Sequence, residues 1–137
     1  MFLERAVKLR LILFTLAAVG APVAWGIRAD AHHRFAEVYA ENREITIEGD
    51  VVQWHYRNPH SFVRVVARNA QRQAEEWIVE CRGAVQLSRQ GVTEATLRPG
   101  QRVIVTGSPG RISSDHRLRL RALVRPQDGW KLLDARD

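Results

Sequence analysis

The chain has 137 residues, of which 45% are hydrophobic and 26% charged, with a single cysteine. That length holds one domain of ordinary size, and the apolar content excludes a disordered chain. One cysteine excludes an intramolecular disulfide framework and every cysteine-based zinc cluster. The formal net charge is +6, and setting aside the four basic and two acidic residues of positions 1–31 leaves +4. A balance of that size favours solubility and attracts anionic partners only weakly.

Residues 1–31 read as a secretory signal. Met1–Arg10 is short and basic, Leu11–Trp25 is uncharged and mostly apolar, and Ala29-Asp30-Ala31 places small residues where a signal peptidase cuts. The alternative is a retained membrane anchor. A spanning helix needs about 20 apolar residues, and this run is shorter, with Gly20, Pro22 and Gly26 interrupting its second half. The expectation is a periplasmic or secreted bacterial protein with no transmembrane segment after cleavage. Cys81, a lone thiol in an oxidising compartment, is then expected to be buried.

Residues 32–44 form a polar lead-in with few apolar anchors. Ile45-Thr46-Ile47-Glu48 alternates apolar and polar at period two, the pattern of a half-buried strand. After Gly49-Asp50 the phase shifts so that Val52, Trp54 and Tyr56 are in step, which predicts one long curved strand with a bend at the glycine. Asn58-Pro59 ends it. Ser61–Ala67 is a second strand with Val63, Val65 and Ala67 on one face. Arg68–Glu75 is a hairpin loop, and Glu76–Cys81 is a third strand with Trp77, Val79 and Cys81 together. Ala84–Gln90 lacks period two and ends at Gly91, which predicts a short helix. Arg98-Pro99-Gly100 turns into a fourth strand, Arg102–Gly107. The fifth strand, His116–Val124, places Leu118, Leu120, Ala122 and Val124 inward and Arg117, Arg119 and Arg121 outward. The tail from Pro126 is polar except for Trp130, Leu132 and Leu133, which are expected to fold back.

The domain reading is therefore a signal at 1–31, a lead-in at 32–44, a barrel at 45–125 and a tail at 126–137. The fold class is mainly β. Three strands, a helix and two strands, with a long bent first strand, predict a small OB-fold-like five-stranded barrel with one short helix between strands three and four. The runner-up is a small β-sandwich or another barrel. Trp54, Val65, Trp77, Val79, Leu87, Val103, Val105, Leu118 and Leu120 are the expected core.

Three stretches carry a family resemblance: Ala31-His32-His33-Arg34-Phe35, Trp54 through Asn58-Pro59-His60, and Leu97–Val103 leading into Thr106-Gly107. Their order and spacing resemble a family of small secreted bacterial proteins of unknown function, whose mature chains open His-His-Ser-Phe and carry Asn-Pro-His after the first strand. The resemblance covers about residues 31–125, and Arg34 stands where that family has serine. It implies export and a small β-barrel, and supplies no activity.

The histidines are the candidate chemistry. All five lie beyond residue 31: His32, His33, His55, His60 and His116. Cleavage after Ala31 would make His32 the first residue, so that its α-amine and imidazole chelate one metal. His33 adds an imidazole and a peptide nitrogen, and His60, fixed by Pro59, completes the set. Nitrogen donors of this kind favour Cu(II), ahead of Ni(II) and Zn(II), so copper is the candidate cofactor. The competing reading is a solvated tail and a histidine that serves a turn. Asn58, Arg117, Arg119 and Arg121 are the candidate residues for another ligand. The arginines with nearby aromatics suit a polyanion, but export sets aside specific nucleic acid and leaves an anionic surface partner. A solvated strand face is the bland alternative. Ser113-Ser114-Asp115-His116 has the residue types of a hydrolase triad, but triad members meet across a fold rather than along a chain. No phosphate loop, nucleophile elbow or HExxH is present. The expected function is a non-enzymatic exported barrel that binds a ligand, with a copper-binding protein and a polyanion-binding barrel as alternatives.

Overall fold

The computed structural model describes residues 35–134. The signal reading, His32 and His33 lie outside the described residues. Six strands follow in order: β1 (Ile45–His55), β2 (Phe62–Arg68), β3 (Ala74–Glu80), β4 (Arg102–Pro109), β5 (Arg117–Arg125) and β6 (Trp130–Leu133). One helix, α1 (Ala84–Ser88), separates β3 from β4, and a 3-10 turn (Ser113–Asp115) precedes β5. Among the described residues, no helix is long and apolar enough to cross a membrane.

The neighbours around the sheet are β3-β2-β1-β4-β5-β6, and a parallel pairing of β3 with β5 closes the first five into a barrel. Closure rests on three registers, Ile78 with Arg117, Val79 with Leu118 and Glu80 with Arg119. This is the OB-fold connectivity that the order of elements predicts. The tail does fold back: β6 pairs antiparallel with β5 and buries Leu132, while Leu133 stays exposed.

β1 pairs with both β2 and β4, so it must curve through the middle of the barrel. At Gly49 a Cβ would lie 2.3 Å from the Val66 carbonyl oxygen and 2.8 Å from Val65 Cγ1. Only a residue without a side chain permits that approach. The bulge itself falls later than the sequence pattern suggests, between Val51 and Gln53. The alternation of Ile45 and Ile47 therefore continues to Val51, which is buried, and Val52 is turned out to solvent. A second correction concerns β5. Thr106 pairs with Ala122 but Gly107 pairs with Leu120, which leaves Arg121 as the extra residue. The inward positions become Leu118, Leu120 and Leu123, with Ala122 and Val124 only half-buried. Each bulge adds one residue to one strand and reverses the faces beyond it.

The core is Val63, Val65, Val79, Cys81, Leu87, Val103, Val105, Leu118, Leu120 and Leu123, joined by Val51, Val92, Leu97 and Leu132. Trp54 and Trp77 pack against this core while only partly buried, so they rim it rather than fill it. Cys81 is buried as expected, and that burial pushes its thiol pKa well above the ordinary range.

Gly49→Ala is expected to lower the stability of the barrel by about 1–3 kcal/mol, the usual cost of inserting a methyl group into a packed interior. Val85→Ala, at an exposed helix position, should stay within about 0.5 kcal/mol of the parent. Urea unfolding followed by tryptophan fluorescence measures both.

Candidate functional site

The loop between β1 and β2 is bound tightly to the start of α1. Asn58-Pro59 is a cis peptide bond. Asn58 Oδ1 accepts a hydrogen bond from the Val85 backbone N–H at 3.1 Å, and the Ala84 N–H donates to the Arg57 carbonyl at 3.0 Å. Gly83 lies so close that a Cβ there would meet the Pro59 oxygen at 2.4 Å. Across the loop, the fully buried Ser61 hydroxyl donates to the Arg57 carbonyl and accepts from the Arg57 N–H. Asn58 is thus a structural residue of the loop, with its side-chain oxygen committed to the helix start.

This loop sets His60 beside the last residue of β3. His60 Nδ1 is hydrogen-bonded to Glu80 Oε1, and Tyr39 Oη donates to Glu80 Oε2 at 2.6 Å. Exposure rises outward through the three: Tyr39 is 1% exposed, and the Glu80 and His60 side chains are 12% and 35% exposed. The Tyr39 hydroxyl is held far above its ordinary pKa, first by burial and then by the hydrogen bond and the charge of Glu80. Both Glu80 oxygens are thus engaged, one by the Tyr39 hydroxyl and one by the His60 ring.

Tyr39 arrives from a segment in which the composition of residues 32–44 shows few anchors. It forms an isolated bridge with Gly110, and the Ala40 N–H donates to the Pro109 carbonyl at 2.8 Å. Both Tyr39 and Ala40 are buried, so this part of the lead-in packs onto the barrel. The same segment corrects the picture of a solvated arginine stripe. Arg119 pairs with Glu41, and Arg121 reaches Glu44 Oε2 at 2.5 Å, the Ser108 hydroxyl at 3.1 Å and the Glu41 carbonyl. Their side chains are only 26% and 22% exposed. Arg117 Nε is buried and has no hydrogen-bond partner among the described residues. Glu41, from the polar lead-in, is an ion-pair partner of Arg119.

The remaining histidines sit elsewhere. His55 ends β1 opposite Phe62. His116 adopts a left-handed backbone conformation (φ 43°) just before β5, and its carbonyl accepts from the Ile78 N–H in the middle of β3. Its ring lies 5.0 Å from that of Trp77, and its Nε2 is 3.7 Å from Glu75 Oε2. Ser113, Ser114 and Asp115 occupy an exposed turn before it. Among the described residues no three His, Cys, Asp or Glu side chains group closely enough to hold a metal. Of the expected metal ligands the described residues place His60 alone.

Sequence reasoning missed Tyr39 and Glu80. Glu80 carried a signal, because it faces away from Val79 and Cys81 at the strand end nearest the Asn-Pro-His loop. Tyr39 carried a weaker one, as a lone large aromatic in a polar stretch.

Two outcomes check this geometry. Burial raises the Tyr39 pKa above its unfolded value of about 10, so the unfolded chain releases that proton first and stability falls as pH rises past about 10. Absorbance titration at 295 nm should show a tyrosine that ionises only with unfolding, and Tyr39→Phe should remove that step. Separately, Arg119→Glu should destabilise the barrel, and adding Glu41→Arg should restore part of the loss. The coupling expected of a contacting pair is about 0.5–3 kcal/mol, read from a double-mutant cycle in urea.

A family model described as a family of unknown function, DUF6152, matches residues 21–119. No curated protein matches the chain.

Proposed function

The chain belongs to the DUF6152 family of unknown function, and we propose that it is an exported, non-enzymatic β-barrel protein that binds a ligand at the barrel end carrying Asn58-Pro59-His60. The observation that carries this reading is the His60–Glu80–Tyr39 array, a partly exposed imidazole fixed by a carboxylate that a buried hydroxyl fixes in turn. A loop tied by backbone hydrogen bonds to α1 holds the imidazole in place before any ligand arrives. Such preorganisation favours binding by lowering the entropy lost on association. Export to the periplasm or beyond is supported by the order of charge, apolar run and Ala29-Asp30-Ala31 in residues 1–31.

Binding rather than catalysis is supported by what surrounds the imidazole. The neighbouring Ser61 hydroxyl is bonded to the Arg57 backbone, and the serines of residues 113–114 lie in an exposed turn before His116. The polyanion reading loses support because Arg119 and Arg121 are engaged by Glu41 and Glu44.

One observation favours copper as the ligand. A carboxylate on the far ring nitrogen is the usual companion of a metal-bound histidine, because it fixes the tautomer and raises the basicity of the ligating nitrogen. In this second reading the protein binds Cu(II), which nitrogen donors such as His60 and the mature N-terminal His32 each favour.

N-terminal sequencing of the protein recovered from the periplasm or medium should begin at His32. A full-length chain retained in the membrane fraction would overturn export. Cu(II) titration of that mature protein should give tight binding that weakens at least tenfold in His60→Ala or when a single residue precedes His32. Equal affinity in all three proteins would remove the copper reading.

A further inference from the structure

The first half of β1 forms one sheet with β4, β5 and β6, and three registers align a row of residues across it. Glu48 of β1 faces Ile104 of β4, Ile104 faces Val124 of β5, and Val124 faces Lys131 of β6. Val103, Val105, Leu123 and Leu132 are buried on the core side, so the alternation turns this row outward. The next row on the same face is Thr46, Thr106, Ala122 and Leu133. The middle of both rows is half-buried, and both ends are exposed. Leu133 alone is 61% exposed. The Thr46 and Thr106 hydroxyls are hydrogen-bonded to each other at 2.9 Å, so neither needs a polar group from above. Lys131 meets no acid among the described residues, and Glu48 has only Arg102 at 3.6 Å, with both side chains more than half exposed.

We propose that this face docks a second copy of the chain, sheet against sheet, with Glu48 of each copy on Lys131 of the other. The charge pattern selects that occupant. The first row reads acid, apolar, apolar, base, and half a turn about an axis along the strands between β4 and β5 exchanges Glu48 with Lys131 and Ile104 with Val124. The same rotation exchanges Thr106 with Ala122 and Thr46 with Leu133. A face that complements itself in this way is what a two-fold contact between identical chains requires. Twist sets packed sheets about 30° apart, an offset that the long side chains at the ends of the row can span. Four strands about 4.8 Å apart cover only roughly 15 Å, so two rows bury less than the about 800 Å² per partner of a stable complex. The dimer is therefore weak and depends on concentration. His60 and its partners lie outside both rows, so the contact is independent of the ligand reading.

Sedimentation of the protein as recovered from cells, from about 1 μM to about 1 mM, should show monomer giving way to dimer. Glu48→Lys and Lys131→Glu should each weaken the dimer by about tenfold or more, because the two-fold then sets like charges together at both of its ends. An equimolar mixture of these two variants should associate as the parent does, since each contact again joins opposite charges. The chain carrying both substitutions should dimerise like the parent too, and it supplies the same test where one single variant fails to fold. A protein that stays monomeric up to about 1 mM overturns the proposal. So does a dimer that neither charge reversal weakens, or one that neither the mixture nor the double variant restores.

Discussion

The parallel pairing of β3 with β5 is the constraint on which the rest of the molecule depends. Five strands close only if the first bends enough to serve β2 along one edge and β4 along the other. Two glycines make that approach possible. At Gly49 the Val66 carbonyl occupies the space of a side chain, and at Gly107 the Arg119 carbonyl does the same at 2.4 Å. With the barrel closed, Val79 meets Leu118 in a fully buried contact, and Leu87 of α1 is buried in the same core. The hydrophobic gain is spread over many valines and leucines, yet it is available only in the one geometry that these two glycines allow.

Closure also decides what faces out. It sets Glu80 in register with Arg119, next to strands that carry further charge on alternate positions. Left to solvent, Arg119 and Arg121 would form the basic stripe that alternation suggests. Residues 39–44 cross this face instead, placing Glu41 and Glu44 on the two guanidiniums and Tyr39 on Glu80. The Arg119–Glu41 pair is half-buried, so it is screened less than an exposed pair, whereas Glu44 of the second pair is exposed. The modest positive charge of the chain therefore describes its composition better than its surface on this side.

Much of the architecture was legible because it depends on local periodicity. The valines of β2 alternate strictly, Pro99-Gly100 and Gly91 punctuate the chain where turns occur, and the order of elements matches one barrel. The two bulges were not legible in position. A bulge is fixed by which residue of the partner strand it faces, and Val51 or Val52 fits the inward site equally well by hydrophobicity. The site was half legible for the same reason. His60 and Asn58 lie in one short motif, whereas Glu80 and Tyr39 reach His60 only across the sheet and through a segment whose composition predicts no packing. Arg119 and Arg121 lie between buried leucines as the alternation suggests, but their partners come from about 80 residues earlier in the chain and left no local trace.

The graded exposure of Tyr39, Glu80 and His60 follows from opposing demands. On the proposed reading His60 must reach solvent to meet a ligand, and the carboxylate that holds it must not, since water would compete for both of its oxygens. The strand end meets both demands, because Glu80 lies under the Asn-Pro-His loop while the loop carries His60 outward. Burying a carboxylate is unfavourable unless its oxygens are satisfied, and each oxygen of Glu80 has a donor. Removing either donor would leave a poorly solvated oxygen in place of a hydrogen bond. Tyr39 therefore contributes twice, once through the apolar area of a fully buried ring and once by making the position of Glu80 tolerable, which ties the site at the barrel end to the packing of the segment that precedes the first strand.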